Sequence, residues 1–222
     1  MDQDLRRLRD VIRNLLDARS ITARSDGSVR DLFPTGVGPE EGKALRDWVK
    51  RVDAVSTLEV GLGYGISTLF ICEGLLDNGH SHARHVALDP YQSTKCADVG
   101  LQVIDEAGLG ELVDFYAEES QIALPRFVAE DRRFDLAFVD GNHRFDGVFL
   151  DLVYAGRLLR KGGVAFVDDQ QLPAVARATR FCMSNLGWTL EESSLEDELH
   201  DWAVLRTPRR SITRPFDHYV DF

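Results

Sequence analysis

Thr57-Leu58-Glu59-Val60-Gly61-Leu62-Gly63-Tyr64-Gly65-Ile66-Ser67-Thr68 is the stretch whose reading decides the fold. It reads as a short buried strand, a glycine-rich turn and the opening of a helix. Glycines at 61, 63 and 65 let the backbone turn sharply and let a ligand approach the main chain where a Cβ would obstruct. The helix that follows offers N–H groups and the positive end of its dipole to an anionic group. Such a turn is a nucleotide-type site, and its surroundings select the ligand.

Two features do so. A dinucleotide fingerprint spaces its glycines G-x-G-x-x-G, and here the sixth position is Ile66. The next strand, His85-Val86-Ala87-Leu88, ends in Asp89, a carboxylate able to accept hydrogen bonds from both hydroxyls of a ribose. Asp89 lies 28 residues beyond Gly61, against about 20 in the nicotinamide pattern. The pattern E-x-G-x-G-x-G, with the acid ending the next strand, resembles motif I of the class I S-adenosylmethionine (SAM)-dependent methyltransferases. The resemblance implies SAM as cofactor, held by Glu59, Gly61, Leu62, Gly63, Tyr64, Gly65 and Ser67, with Asp89 on the ribose.

Working outward, alternating strands and helices follow on both sides. An apolar stripe of Leu5, Leu8, Val11, Ile12, Leu15 and Leu16 marks an appended helix over residues 4–19. Residues 20–38 read as polar and irregular, and a helix is expected from Pro39 to Val52. The Gly38-Pro39-Glu40-Glu41-Gly42 entry is similar to the segment that borders the methionine end of SAM in small-molecule O-methyltransferases. Helices are expected over 65–76 and 92–107, and a third strand over 112–117. His80 and His82 lie in the intervening loop and read as surface residues. Ser120 and Gln121 follow that third strand, where the resemblance implies adenine contacts; Ser120 is equally a good helix N-cap.

A strand at Phe134–Val139 leads into Asp140-Gly141-Asn142-His143, and one at Val164–Val167 leads into Asp168-Asp169-Gln170-Gln171. Lys161-Gly162-Gly163 reads as the end of the helix between them. Trp188–Leu190 and Trp202–Leu205 are the last strands. Glu191 to Asp201 is too short for a parallel crossover, so they form an antiparallel hairpin. The expected architecture is α/β: a Rossmann-like seven-stranded methyltransferase sheet, order 3-2-1-4-5-7-6, last strand antiparallel, helices on both faces. One domain over 1–222 is expected, with residues 1–38 as an appendage and 209–222 as a tail that folds back through Phe216, Tyr219 and Phe222.

In that order the strands ending at Val139 and Val167 are neighbours about 5 Å apart, which gathers Asp140, Asp168 and Asp169. Clustered carboxylates take up protons, find cations or bind a metal, and oxygen donors favour a hard ion such as Mg²⁺. Helix caps at both strand ends are the alternative. The set resembles the metal site of cation-dependent small-molecule O-methyltransferases, including the macrocin and novobiocin-type sugar enzymes and cephalosporin hydroxylase-like proteins. That resemblance implies Asp140, Asp168 and Asp169 as metal ligands, with Asp140 also bordering SAM. The catechol and caffeoyl-CoA relatives have Asp-Asn after the second strand, which falls on Asp169 and Gln170. His143, three residues after Asp140, takes the place of the catechol-type lysine and is the candidate general base; Asn142 is a candidate contact to substrate or water.

Composition bounds the rest. With a formal charge of −11 and no lysine-rich run, the chain lacks the positive footprint of a nucleic-acid partner. No apolar run approaches the length of a membrane span and Met1-Asp2-Gln3-Asp4 opens acidic, so the expectation is a cytoplasmic protein away from membranes. The three cysteines show no metal spacing. The leading expectation is an O-methyltransferase acting on a small hydroxylated acceptor, with a homodimer as a fair expectation from the apolar first helix. A metal-independent N-methyltransferase and a non-catalytic SAM-binding module are the alternatives.

Overall fold

The computed structural model describes residues 2–194 and 202–222. The chain divides into two compact units, Met1–Glu119 and Ser120–Phe222. The first contains α1 (Asp2–Ala18), β1 (Ser20–Thr22), β2 (Val29–Asp31), α2 (Pro39–Arg51), β3 (Ser56–Val60), α3 (Ile66–Asn78), β4 (Arg84–Leu88), α4 (Val99–Ala107) and β5 (Val113–Tyr116). The second contains α5 (Ser120–Ala129), β6 (Phe134–Val139), α6 (Phe145–Leu158), β7 (Leu159–Val167), α7 (Pro173–Leu186), β8 (Thr189–Ser193) and β9 (Ala203–Arg206).

The seven strands from β3 onward run in the order β5-β4-β3-β6-β7-β9-β8, which is the expected topology. In the first unit β3 pairs parallel with β4, and β4 parallel with β5. In the second, β6 and β7 are parallel while β9 runs antiparallel to both β7 and β8. Residues 195–201, most of the short link on which the hairpin expectation rested, lie outside the described residues; the antiparallel pairing itself is present. The inner strands are largely apolar because helices cover both faces of a parallel sheet, although Thr57, Glu59 and His85 are buried among them. Leu58, Val86, Ala87, Leu136, Phe138, Val164 and Phe166 are all buried. Among the described residues no helix is long and apolar enough to cross a membrane.

Within the first unit α1 packs on α3 and α4 through Leu8, Ile12 and Leu15. Its orientation is fixed by Arg9, which meets Glu73 at 2.7 Å and Asp77 at 3.0 Å on α3. Within the second unit the buried amide of Asn185 clamps the last segment, donating to the Val220 carbonyl at 2.7 Å and accepting its N–H at 2.8 Å. Phe222 packs against Phe145 and Phe181. The tail therefore folds back through Phe222, while Phe216 is fully exposed and Tyr219 largely so.

Three local expectations need correction. Residues 20–38 include the β1–β2 hairpin, where Ser20, Ile21 and Thr22 pair with Asp31, Arg30 and Val29. The helix expected from residue 92 starts at Val99, because Ala97 and Asp98 adopt left-handed backbone (φ +49° and +57°) that a helix cannot continue through. Lys161-Gly162-Gly163 is strand, since α6 stops at Leu158 and Leu159 already pairs with Phe134. Gly162 (φ +78°) and Gly163, whose Cβ would meet Arg160 O at 2.9 Å, serve the register irregularity that follows. His80 lies at the surface as expected, where its Nε2 is 2.7 Å from the exposed Asp53.

Candidate active site

In the first unit the turn after β3 is left-handed at three glycines, with φ of +98° at Gly61, +50° at Gly63 and +80° at Gly65. Their roles differ. A Cβ on Gly65 would lie 2.7 Å from Val103 Cγ2 and 3.2 Å from the Gly100 backbone, so this glycine admits α4. A Cβ on Gly63 would meet nothing within 4 Å, so the backbone there faces open space that a ligand could use. Gly65 caps α3 with no side-chain hydrogen bond, and the first turn of that helix holds no acidic residue. No side chain of α3 itself therefore offsets the dipole at that end. Leu62 is buried, and Tyr64 is half-buried beside the open position.

Asp89, at the end of β4, turns back to this loop. One carboxylate oxygen accepts the Gly63 N–H at 2.9 Å and the Gln92 amide at 2.8 Å, and the other accepts the Tyr91 N–H at 2.7 Å. Three donors fix the direction of the carboxylate. The expected ribose acid and the glycine turn are therefore joined directly.

Glu59 behaves differently from the other proposed cofactor contacts. Its side chain is completely buried and accepts hydrogen bonds from the hydroxyls of Ser67 and Thr68 in the first turn of α3. His85 Nε2 lies 2.9 Å from the same carboxylate, and His85 Nδ1 lies 2.9 Å from Thr57 Oγ1. Glu59 and Ser67 thus form a polar plug beneath the turn. Sequence reading did not identify His85 or Gln92 as members of this site. The signal for His85 was the pairing of Thr57 with His85 across β3 and β4, visible only once the register is known.

In the second unit β6 and β7 end side by side, with Val139 opposite Val167. The Asp168 N–H donates to Val139 O at 3.2 Å, and the chain then turns at Asp169 (φ +58°). After that turn the Asp169 side chain lies toward Asp140. His143 Nε2 sits 2.8 Å from Asp169 Oδ2 and 3.2 Å from Asp140 Oδ1. One ligand atom each from Asp140, His143 and Asp169 lies within 4.8 Å of the others. Asp168 is buried beside them, and its Oδ1 accepts the Asp169 N–H at 2.7 Å. Gln170 points toward α7, donating to Thr179 Oγ1 at 3.1 Å. Asn142 is exposed and its Oδ1 accepts the Arg144 N–H at 3.0 Å, where it shapes the entry to α6.

The electrostatics follow from this geometry. Hydrogen bonds to Asp140 and Asp169 push the His143 imidazole up to about 10, so it carries a proton at neutral pH. Burial raises Asp140, with the charges of Asp168 and Asp169 acting in the same direction. Ser120 opens α5 half-buried, and Gln121 next to it is exposed. The buried Asp151 on α6 is raised to about 6 by desolvation, against the pull of the Ser120 hydroxyl.

The profile of a family described as a methyltransferase domain matches residues 58–170, which span both the glycine turn and the acid cluster. Tricin synthase 2 of Oryza sativa subsp. japonica is 34% identical over 134 residues, covering 59% of this chain and 43% of that protein. Caffeoyl-CoA O-methyltransferase of Stellaria longipes is 24% identical over 177 residues, 74% of this chain and 71% of that one. The chain thus spans well under two thirds of the tricin synthase it matches. An O-methyltransferase from Bacillus cereus, solved in complex with SAH, shares the fold with a TM-score of 0.68 at 21% identity, covering 90% of each chain.

Proposed function

Because this chain belongs to the methyltransferase-domain family, we propose that it moves the methyl group of SAM to a hydroxyl of a small molecule. The observation that carries the reading is the glycine turn, open at Gly63 and bonded through its N–H to Asp89. Asp89 is the ribose contact, the backbone of residues 61–65 the methionine-side contact, and Ser120 and Gln121 the adenine-side contacts. Methyl transfer is an in-line displacement at a carbon already activated by the sulfonium. What the protein must add is alignment of the nucleophile, exclusion of water and removal of a proton.

Asp140 and Asp169 would hold a divalent cation, with Asp168 adding charge beside them. Two carboxylate oxygens are the donor chemistry of a hard ion such as Mg²⁺, and the protonated imidazole drawn between them supports a demand for positive charge at that point. When bound, such an ion favours the deprotonated form of an acceptor hydroxyl. His143 remains the candidate base, but it holds its proton while both carboxylates bond to it, so it can accept one only where those bonds are broken. The same imidazole favours a second reading, in which His143 neutralises the acids permanently and an amine is methylated without metal.

Calorimetric titration with SAM, with EDTA and with Mg²⁺ restored, separates the readings. Saturable SAM binding and saturable Mg²⁺ binding, the latter lost in Asp169→Asn, support the cation-dependent transferase. SAM binding with no Mg²⁺ response before or after acceptor is added supports the metal-free reading. Absence of SAM binding rejects both.

A further inference from the structure

We infer that Gln92 is a positioning residue for the cofactor, setting the ribose acid and the glycine turn against each other; this rests on the reading of the turn as a SAM site. The Gln92 side chain is 3% exposed. Its amide nitrogen donates to the Gly63 carbonyl at 2.7 Å and to Asp89 Oδ2 at 2.8 Å. Gly63 in turn donates its N–H to that same Asp89 oxygen at 2.9 Å. Gln92 therefore closes a ring in which Gly63, which faces open space in the turn, and the acid at the end of β4 are tied to a single amide.

The orientation of that amide is fixed by chemistry. Both of its nitrogen contacts are acceptors, so a flipped amide would set oxygen against oxygen twice. Its own oxygen, Oε1, is buried with no hydrogen-bond partner among the described residues. A buried acceptor left unsatisfied is unfavourable, which means the donor half of the amide outweighs it. A slot is kept for this side chain as well. A Cβ on Gly100 would lie 2.8 Å from Gln92 Oε1 and 2.8 Å from Gly63 O, so the start of α4 is bare where Gln92 and the turn must fit. A side chain meant only to fill space would need neither the two donor contacts nor the orphaned oxygen.

The consequence is functional because Asp89 must present the remaining lone pair of Oδ1, beside the one taken by the Tyr91 N–H, to a ribose hydroxyl while its other positions are held. Gln92 and the Gly63 N–H occupy one oxygen and fix the direction of the carboxylate. Without the Gln92 donor, Asp89 is held by the Gly63 and Tyr91 N–H groups alone, and Gly63 O loses its contact with the amide. Loss of one hydrogen bond to a charged group corresponds to about 10- to 100-fold in affinity.

The test compares SAM affinity of the full chain by calorimetry for wild type, Gln92→Met and Gln92→Glu, each at pH 6 and pH 8.5. Gln92→Met should bind SAM about 10- to 100-fold more weakly at both pH values. Gln92→Glu keeps the shape but places a second carboxylate on Asp89. Paired buried carboxylates share a proton at mild pH, and the shared proton replaces the missing donor. Its deficit relative to wild type should therefore be at least tenfold smaller at pH 6 than at pH 8.5. Cys96, the neighbouring thiol on which Asp89 acts, is held at about 11 by burial and stays neutral throughout; Lys95 and Asp98 lie on the same segment. A merely structural role would make the Gln92→Glu deficit equal at both pH values, and that result overturns the inference. So does wild-type affinity in Gln92→Met. No SAM binding by the wild type would reject the parent reading and this one with it, whereas loss-free variants of a SAM-binding wild type reject this one alone.

Discussion

Replacing Asp151 by Asn should remove a pH-dependent penalty from the folded state. Asp151 sits on α6 with 1% of its surface exposed, and burial lifts its carboxyl from 3.8 to about 6. The Ser120 hydroxyl is close enough to favour the charged form, yet neither carboxylate oxygen has a well-formed hydrogen bond among the described residues. A folded-state pKa raised above the unfolded one means that the native protein binds the extra proton. Stability therefore falls as pH rises from about 4 through about 6, and the penalty is complete above that. Its full size is roughly 3 kcal/mol, with about half in place at pH 5. An asparagine is neutral at every pH and nearly the same shape. Urea denaturation of both proteins at pH 4 and pH 8 isolates the effect, because every other titrating group cancels in the difference. Asp151→Asn should gain about 2 to 3 kcal/mol relative to wild type on going from pH 4 to pH 8. A stability difference that does not change with pH would show that the carboxylate is solvated or paired in solution, and the reasoning would fail.

Thr68→Val removes one hydroxyl donor from the buried Glu59 carboxylate, which costs about 2 kcal/mol and should lower Tm by roughly 4 to 8 °C; an unchanged melting curve would contradict it. Gly65→Ala should destabilise by about 2 kcal/mol or more, since the new methyl meets Val103 at 2.7 Å and φ is +80°. Gly63→Ala, with nothing within 4 Å, should be milder in Tm, about 1 kcal/mol, and should instead weaken SAM binding at least tenfold, so equal losses at the two positions would remove the distinction between them. Asn185→Ala cuts both bonds to Val220 and should speed limited proteolysis within residues 209–222; identical cleavage rates would mean that the aromatic contacts of Phe222 suffice alone.

The sheet was legible because its physics is one-dimensional. A strand covered on both faces is a mostly apolar run, and Val86–Leu88, Leu136–Val139 and Val164–Val167 read as such, with Leu58 and Val60 flanking the single acid Glu59. The acids Asp89, Asp140, Asp168 and Asp169 could be placed at strand ends for the same reason. What the sequence did not disclose depends on backbone angles at single residues. Asp169 faces Asp140 because its φ is +58°, and no residue pattern distinguishes that from an extended Asp168-Asp169 pair. Ala97 and Asp98 break a helical periodicity that looked continuous from residue 92. Gln92 and His85 act through partners 29 and 26 residues away, so their roles appear only when the register brings those partners together.

The protein-side contacts of the glycine turn bear on how it would bind. Below the turn, Ser67 and Thr68 are bonded to Glu59, and Glu59 to His85, all with little or no exposure. Beside it, Gln92 ties Gly63 O to Asp89. Across it, Gly65 is pressed against Val103 and Gly100. Three independent sets of contacts thus fix a loop of five residues, three of them glycines, that would otherwise be among the most mobile segments of the chain. Ordering that loop costs free energy, and here folding meets the cost before any ligand arrives. A ligand that finds its N–H groups, open face and carboxylate already in place loses little affinity to conformational ordering. The features first read as contacts to the ligand therefore divide: Gly63 opens onto free space and is bonded to Asp89, while Glu59, Ser67 and Gly65 are engaged within the protein and hold the loop.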